Sequence, residues 1–350
     1  MTILEDRNDV PSKKKIFYSI KKPLKEYLLK YDREIEIPVK YSDMLRFNFS
    51  TPLLDKNDKD TLWKTVYYDE VEMAELYPGL KYIYALMNAS GRLEVMDHLS
   101  VSRIDYCSFG NSKPFRVRII NRLNDNYDHF YVKRADASRV YGLELEHILS
   151  PNRINYITDT ETLIEEHIPG LPGDVFVDEY INDIKFNQTR ISKEFVKFNE
   201  RCFVRLLGDM RSYNFVVDIT PDIEGNQYRI RAIDFDQQSY EGKLKLYLPQ
   251  YFKENNNLVF LGMESINEKT MKQYQQEERS IISHRVKLAR YRLKELFEAS
   301  LTDEIAPIEK TLALGKELAI YHNDKKFTKI RHMGRLVKAH IYSCLENKKN

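Results

Sequence analysis

The sequence predicts an α+β protein in which short strands gather in the middle of the chain and helices fill its C-terminal half. Three observations support this class. β-Branched and aromatic residues are concentrated in short runs between residues 99 and 167. Apolar residues recur at helical spacing from residue 269 onward. The 350 residues, 42% of them hydrophobic, are enough to bury a sizeable core.

Five short runs are predicted to be strands, because each is bounded by turn residues and rich in strand-forming side chains. The first two form a hairpin around a turn that contains Gly110. The third carries Lys133 near its end, and the fifth leads into acidic residues followed by Pro169 and Gly170. The five predicted strands are 101–108, 115–123, 128–135, 153–158 and 161–167.

An amphipathic helix is predicted between the third and fourth strands, over 136–149, because apolar residues recur there at helical intervals. The residues that form this stripe are Tyr141, Leu145, Ile148 and Leu149. At about 100° of rotation per residue, Glu144 lies nearer the stripe than Glu146 does. Glu144 is therefore the better placed of the two acids to face the strands, and Glu146 is kept in reserve.

The segment after residue 190 predicts a helix followed by a hairpin. Apolar residues recur at helical spacing over 191–207, and the pattern runs directly into a loop that carries Asp209. Two strands, 215–217 and 228–233, then flank a turn rich in Pro, Asp, Gly and Asn. This hairpin would place Asn214 and Asp234 at neighbouring ends.

The two ends of the chain are predicted to be mainly helical. Before residue 99 we expect two helices, at 60–76 and at 80–87. Residues 240–260 are irregular and aromatic. Further helices are predicted at 269–300, 308–321 and 327–345 from their apolar spacing.

Two short segments carry the chemistry of this sequence. The first contains Asp209 and, five residues later, Asn214; the second is the run Ile-Asp-Phe-Asp that includes Asp234. A Mg²⁺ ion that bridges phosphates takes hard oxygen ligands, which Asn214 and Asp234 offer from adjacent segments. Asp209 remains to orient or deprotonate an acceptor hydroxyl. The pattern therefore predicts magnesium-dependent phosphoryl transfer.

The order D-x-R-x-x-N followed by I-D-F-D resembles the catalytic half of the protein-kinase-like fold, and most closely its aminoglycoside phosphotransferase and choline kinase branch. Gly208 and Asp209 match the branch's usual H-G-D, but Leu207 stands where the His would be. Arg211 matches the Lys or Arg that protein kinases place there to neutralise the transferred group. The loop thus mixes features of both branches.

The resemblance implies ATP and Mg²⁺ as cofactors and extends the site upstream. Lys133 would hold the nucleotide phosphates and Glu144 would fix that Lys. A loop around Gly110 would cover the phosphates, although one Gly does not make a glycine-rich loop. The acidic strand end that includes Glu166 resembles the hinge that hydrogen-bonds adenine through its backbone. Asp236 would assist Asn214 and Asp234 with the metal.

The same resemblance implies a bilobal molecule with three regions. Residues 1–98 would be an N-terminal extension that matches nothing in the family. Residues 99–168 would form a small antiparallel β lobe with one helix and the hinge. Residues 169–350 would form a large, mainly helical lobe with the catalytic loop.

The function that these features predict is transfer of the γ-phosphoryl group of ATP to a hydroxyl acceptor, in particular on a small molecule. Two alternatives stay open. One is a pseudokinase that acts as a nucleotide-binding or protein-interaction module, which Leu207 and the thin Gly loop favour. The other is an enzyme of the same fold that transfers AMP. The identity of the acceptor and the oligomeric state do not follow from the sequence.

The composition indicates where the protein is expected to act but does not indicate which reaction it performs. The net charge of +2 gives no overall attraction to nucleic acid or membranes. The first thirty residues hold no clean apolar signal region, and no apolar run is long enough for a membrane span, so a cytoplasmic protein is expected. The cysteines and several histidines show no ligand spacing that would predict a disulfide or zinc site. These are Cys107, Cys202, Cys344, His284, His322, His332 and His340.

Overall fold

The computed structural model describes residues 15–55, 57–88, 97–181, 186–223 and 225–346. The chain divides into two compact units. The first takes its described residues from Met1–Ile20, Leu28–Asp136 and Asn155–His167. The second takes them from Lys21–Tyr27, Ala137–Ile154 and Ile168–Asn350. The helix α1 (Lys22–Lys30) contributes residues to both.

The first unit is built around one antiparallel sheet of seven strands in the order β1-β2-β3-β4-β5-β7-β6. Its elements, in chain order, are α2 (Tyr41–Met44), β1 (Phe49–Leu54), β2 (Asp60–Tyr67), α3 (Glu70–Asn88), β3 (Leu99–Tyr106), β4 (Phe115–Asn121), β5 (Tyr127–Arg134), β6 (Tyr156–Asp159) and β7 (Thr162–Glu166). Buried side chains of α3 and of the central strands form its core, among them Leu80, Ile83, Phe115, Phe130 and Ile164.

The helix predicted at 60–76 is wrong. Residues Asp60–Tyr67 form the strand β2, which pairs with β1 and with β3. Threonine, tryptophan, valine and tyrosine dominate this segment, and such side chains favour a pleated surface over a helix. A single helix, α3, then replaces the two predicted ones and continues through Pro78. The segment before residue 99 therefore adds two strands to the same sheet as β3–β7.

The second unit is mainly helical. Its elements, in chain order, are α4 (Ala137–Leu149), β8 (Leu171–Pro172), α5 (Gly173–Val175), α6 (Gln188–Arg205), β9 (Phe215–Asp222), β10 (Gly225–Ala232), α7 (Asn256–Ser265), α8 (Glu268–Leu288), α9 (Arg290–Ser300), α10 (Ile308–His322) and α11 (Met333–Leu345). Strands β8, β9 and β10 form a small antiparallel sheet. Within the described residues, no helix is long and apolar enough to cross a membrane.

The α+β class is confirmed, with an antiparallel sheet toward the N-terminus and mostly helices after it. Two helix predictions in the second unit need correction. The helix predicted at 269–300 is two helices, because Ala289 leaves helical geometry at φ −101° and ψ 24°. The one predicted at 327–345 begins as a short 3₁₀ turn, Lys325–Lys329, before α11. The division into regions at residues 98 and 168 stays a prediction.

Candidate active site

The loop that carries Asp209 begins with a strained exit from helix α6. Leu206 caps the helix in the left-handed conformation at φ 53°, and Asp209 adopts φ 57°. For a residue such as Leu206 this conformation costs about 1–2 kcal/mol, whereas Asp and Asn adopt it more readily. It persists where surrounding contacts fix the backbone, and here the Asp209 amide donates to the Leu246 carbonyl at 3.1 Å. The chain thereby turns sharply and holds Asp209 at a defined position.

The Asp209 carboxylate is paired with Arg211. Arg211 Nε lies 2.9 Å from Asp209 Oδ1, and Arg211 Nη1 lies 2.6 Å from Glu254 Oε1. Burial lowers the pKa of Arg211. Its hydrogen bond with Asp209 and the charge of that carboxylate raise the pKa by more than burial lowers it, so the net shift is upward. The guanidinium also lies 5.1 Å from the centre of the Phe252 ring. Arg211 is thus a permanent positive charge fixed beside Asp209.

Asn214 joins this loop to the β9–β10 hairpin. Its side-chain amide donates to the Asp209 carbonyl at 2.7 Å, and its own carbonyl accepts from the Ile233 amide at 3.0 Å. The ladder starts at the next pair, Phe215 with Ala232. Asp209, Asn214 and Asp234 therefore occur on segments that are hydrogen-bonded to one another.

A buried arginine bridges the two acids that follow β10. Arg139 Nη1 lies 2.8 Å from Asp234 Oδ1 and 2.7 Å from Asp236 Oδ1. The side chains of Arg139 and Asp236 are 1% and 7% exposed, whereas that of Asp234 is 36% exposed. The Asp236 amide also donates to Asp234 Oδ1 at 2.9 Å. One cation thus offsets the repulsion between two carboxylates.

Arg139 reaches these acids because helix α4 packs very closely against the segment that carries them. At Gly142, an added Cβ would lie 3.0 Å from the Gln238 Cβ and 3.2 Å from the Phe235 Cβ. Only a glycine fits this approach without displacing its neighbours. Gly142 therefore helps to bring α4 and the Arg139 side chain against residues 234–238.

Leu207, which stands where the related branch has a His, is fully buried. It forms an isolated antiparallel bridge with Gln238, and the adjacent Gly208 amide donates to the Gln237 carbonyl at 3.3 Å. The main chain at Leu207 therefore ties the Asp209 loop to the segment after Asp236. This tie needs no polar side chain at position 207.

Glu144 and Glu146 on α4 are both buried in the second unit, and each has an arginine partner. Arg292 donates from Nε and Nη2 to the two carboxylate oxygens of Glu144 at 2.8–3.1 Å, and the Tyr27 hydroxyl donates to Glu144 Oε2 at 2.5 Å. Glu146 pairs with Arg205. Burial and the Glu144 charge raise the pKa of Tyr27. The pairing of Lys133 with Glu144 or Glu146 stays a prediction.

In the first unit, Lys133 on β5 pairs with Glu165 on the neighbouring strand β7. The Lys133 Nζ lies 2.7 Å from Glu165 Oε2, and both side chains are more than nine-tenths buried. Tyr131 contributes a ring whose centre is 5.2 Å from the Lys133 Nζ. Lys133 is therefore an enclosed, paired cation at the end of a central strand.

The two other predicted nucleotide-binding positions also lie in the first unit. Glu166 is the last residue of β7 and lies opposite Phe130 in the β5–β7 ladder. Its backbone amide donates to the Asn155 carbonyl at 3.1 Å. Gly110 adopts φ +47° in the turn between β3 and β4, and the Cys107 amide donates to the Pro114 carbonyl at 2.9 Å across that turn. Glycine adopts this left-handed conformation without the steric cost that a side chain would add.

The sequence predicted neither Arg139 nor Glu165 as a partner at the site. The apolar stripe of α4 suggested one buried face, yet every residue of this helix except His147 is buried, and Arg139 with it. Glu165 stood in the predicted hinge strand, and its ion pair becomes visible only once the β5–β7 register places Tyr131 opposite it. Partner identity here depends on packing and register, which one sequence does not encode locally.

Comparison with known proteins leaves the family open. No family model matches the sequence, and no curated protein matches it. Solved structures that match include the Rad53 kinase domain with SCD2, at 14% identity and a TM-score of 0.23, over 51% of this chain and 80% of that one. Titin kinase with its flanking domains matches at 12% and 0.27, over 71% and 55%. The autoinhibited serine kinase domain of titin matches at 13% and 0.27, over 72% and 94%. Similarity at such TM-scores carries no argument about the branch or the activity of this chain.

Proposed function

We propose that this protein is an ATP- and Mg²⁺-dependent phosphotransferase of protein-kinase-like fold that acts on a hydroxyl group of a small molecule in the cytoplasm. Asp209 orients or deprotonates the acceptor hydroxyl. Arg211 offsets charge on the transferred group. Asn214, Asp234 and Asp236 hold Mg²⁺, which supplies electrostatic stabilisation of the phosphates when it is bound.

One observation carries this proposal: Asp209, Asn214 and Asp234 sit on segments linked by the hydrogen bonds from Asn214 to Asp209 and from Ile233 to Asn214. Phosphoryl transfer requires little covalent chemistry from the protein, so fixed positions and charges supply most of the rate. A strained loop, an amide side chain that locks it, and a hairpin that brings the carboxylates alongside meet that requirement.

The charges around Asp234 fit metal binding of moderate strength. Carboxylate and amide oxygens are the ligands that Mg²⁺ prefers. Asp234 is the more exposed of the two acids, which suits a ligand that must reach a solvent-borne ion and nucleotide. Arg139 cancels part of the local negative charge, so we expect the ion to bind together with nucleotide phosphates rather than alone.

In the first unit, we propose that Lys133 binds the nucleotide phosphates, the Gly110 loop covers them, and the main chain at Glu166 contacts the base. The carboxylate that holds Lys133 is either Glu144, as the sequence predicts, or Glu165, which lies 2.7 Å away. Glu165→Gln and Glu144→Gln separate these readings. The true partner is the one whose loss weakens ATP binding without changing the fold.

A second candidate function is a nucleotide- or protein-binding module without catalysis. The bridge from Arg139 to both Asp234 and Asp236 favours it, because a fixed cation in a metal site can replace the metal's structural role. The apolar Leu207 in place of the usual His agrees with this reading. In AMP transfer by the same fold the α-phosphorus is attacked and pyrophosphate leaves, which requires the nucleotide to bind in the reversed orientation.

The decisive experiment is a thermal-shift titration with ATP and Mg²⁺, combined with analysis of the products formed from ATP. Ligands that bind only the native state raise the melting temperature. We expect a magnesium-dependent ATP shift in the wild type that is lost in Asp234→Ala. Asp222→Ala is the matched control, because Asp222 is an exposed acid at the far end of the same hairpin.

The outcomes separate the candidates. Release or transfer of the γ-phosphoryl group supports phosphotransfer, and appearance of AMP on an acceptor supports AMP transfer. A nucleotide shift without turnover favours the binding module. The absence of a shift with any nucleotide, in a folded wild-type protein, would overturn the ATP-dependent proposal altogether.

A further inference from the structure

A compact group of buried metal-ligand side chains lies among the C-terminal helices, away from the acids of the candidate active site. It consists of His322, the last residue of α10, and of His340 and Cys344, one turn apart on α11. We call it the histidine–cysteine cluster. Their ligand atoms all lie within 4.8 Å of one another, and each residue is less than 8% exposed.

The main chain fixes the orientation of His340. Its Nε2 lies 2.9 Å from the Phe203 carbonyl oxygen on α6. A carbonyl oxygen only accepts, so Nε2 carries the proton and donates it. In this tautomer the Nδ1 of His340 has a lone pair. This arrangement, with one ring nitrogen on a carbonyl and the other turned inward, is how proteins orient metal-binding histidines.

The other two ligand groups lie against the same imidazole ring. His322 Nε2 lies 3.0 Å from His340 Nδ1, and Cys344 Sγ lies 3.8 Å from Nδ1 and 3.5 Å from Nε2. In a tetrahedral zinc site, bonds of ~2.1 Å to nitrogen and ~2.3 Å to sulfur separate two nitrogens by ~3.4 Å and nitrogen from sulfur by ~3.6 Å. The two nitrogens are therefore already spaced within a few tenths of an ångström of such a site, and rotation of the Cys344 side chain away from Nε2 would bring the sulfur to the metal.

A route to the cluster and room for a fourth ligand are also present. A cleft of about 730 Å³ is lined by His322 and Cys344, together with Glu346 and other polar side chains of α8 and α11. A water molecule or the Glu346 carboxylate from this cleft could complete four-coordination. The ring of His322 stacks on Phe327, with centres 4.8 Å apart, which holds the second imidazole in place.

We propose that His322 Nε2, His340 Nδ1 and the Cys344 thiolate bind one divalent metal ion per chain, and that this ion is Zn²⁺. Two imidazoles and one thiolate in a small site suit zinc better than the hard ions Mg²⁺ and Ca²⁺, which take oxygen ligands. The ion would tie the end of α10 to α11 and, through His340, to α6. Its role is to stabilise this part of the second unit.

Binding has a defined proton balance. In the metal-free cluster, His322 Nε2 donates to His340 Nδ1. When the metal binds, the His322 proton resides on Nδ1, and the Cys344 thiol loses its proton to solvent as the sulfur–metal bond forms. Cys344 is buried, and a thiol in such surroundings keeps its proton until the metal binds. One proton is therefore released for each ion bound.

The test uses the full chain, freed of metals with a chelator and titrated with Co²⁺ and then Zn²⁺. We expect a 1:1 end point, a near-ultraviolet thiolate-to-cobalt band, visible bands typical of four-coordinate cobalt, and displacement of cobalt by zinc. Zinc should also raise the melting temperature and release one proton per chain. Loss of a ligand should weaken zinc binding by more than the ~10- to 100-fold typical of losing an outer-shell partner.

Variants assign the site. Cys344→Ser should abolish the thiolate band, and His322→Gln should weaken binding while leaving the thiol in place. Two controls should bind normally: Cys107→Ser, which changes a half-buried cysteine of the first unit, and His284→Gln, which changes an exposed histidine that lines the same cleft. Should Cys344→Ser not fold, a 1:1 thiolate band kept by both Cys107→Ser and Cys202→Ser supports the site, because Cys344 is then the remaining thiol. A wild type without a thiolate band, or a band lost in Cys107→Ser, would overturn it.

Discussion

Two groups of buried ionisable side chains in the second unit differ in how the fold accommodates their charge. In the carboxylate cluster, formed by Arg139, Asp234 and Asp236, charges are kept and paired at 2.7–2.8 Å. In the histidine–cysteine cluster, burial holds the pKa of His340 at about 3 and that of Cys344 at about 12, so both stay neutral. One group relies on an ion pair and the other on the absence of charge.

This difference in charge determines which kind of cation each cluster can bind. Paired carboxylates remain ionised at neutral pH, so a hard cation can join them without removing protons. A neutral thiol and imidazoles must lose one proton before they hold a soft or borderline cation. Magnesium chemistry at the first cluster should therefore depend little on pH near 7, whereas zinc uptake at the second should weaken as the solution becomes more acidic.

The largest effect is expected at Asp209, on the loop beside the carboxylate cluster. Asp209→Asn keeps the shape and the left-handed backbone that Asn tolerates, but it removes the base. General-base catalysis contributes about 10²- to 10⁴-fold, so turnover should fall by that factor. Nucleotide affinity, measured by thermal shift, should be nearly unchanged. Wild-type turnover in this variant would contradict the role assigned to Asp209.

A large loss of stability is expected from Arg139→Met, which keeps the length of the side chain but removes the positive charge of Arg139 from beside the buried Asp236. Breaking a buried pair by removing one partner costs about 3–5 kcal/mol. Urea unfolding should show a free energy of unfolding lower by roughly that amount. Asp236→Asn in the same chain should recover part of it. Lys294→Met, on an exposed face of α9, serves as the control and should change stability by less than ~0.5 kcal/mol.

Glu144→Gln tests the same principle on the next turns of α4, at a carboxylate whose partner is less buried. Gln fits the space of Glu144 but removes that carboxylate's negative charge from beside Arg292. Hydrogen bonds to charged groups contribute about 1.5–3 kcal/mol, so unfolding free energy should fall by that amount. Arg292 is 22% exposed, and water will offset part of the loss. A change as small as that of Glu298→Gln, an exposed acid on α9, would show that this pair does not stabilise the fold.

Local pattern predicted most elements of this fold because periodicity and turn residues encode them directly. The strands that bracket Lys133, the helix α4 and the β9–β10 hairpin follow from apolar spacing within each segment. The segment 60–76 failed because its apolar residues fit helical spacing loosely, while its threonine, tryptophan and valine content favours the sheet that β1 and β3 complete. Sheet pairing is non-local, and the local pattern misled.

The candidate site shows the same limit. The run from Asp209 to Asn214 is contiguous, so its residues could be recognised together, and the structure places Asn214 against the Asp209 carbonyl. Arg139 lies far along the chain from the acids it bridges, and no local pattern links them. His340 and Cys344 are four residues apart, which is helical ligand spacing. Because the three cysteines are scattered along the sequence, this spacing did not indicate a metal site. His322 lies beside His340 only because α10 and α11 pack together.

The smallest effect, and the one that tests the neutral cluster, is the pH dependence contributed by His340. Its pKa is about 3 in the folded protein against 6.5 for a free imidazole, so the unfolded chain binds a proton that the folded chain refuses. This stability is complete above pH 6.5 and is lost as the pH falls toward 3. In His340→Gln, whose amide can still donate to the Phe203 carbonyl, the fall in unfolding free energy from pH 7 to pH 5 should be smaller by ~1–2 kcal/mol. His284→Gln, at an exposed position, is the control and should keep the wild-type dependence. If metal-free wild type and His340→Gln lose stability equally, His340 is protonated in the native state, and the contrast between a charged and a neutral cluster is wrong.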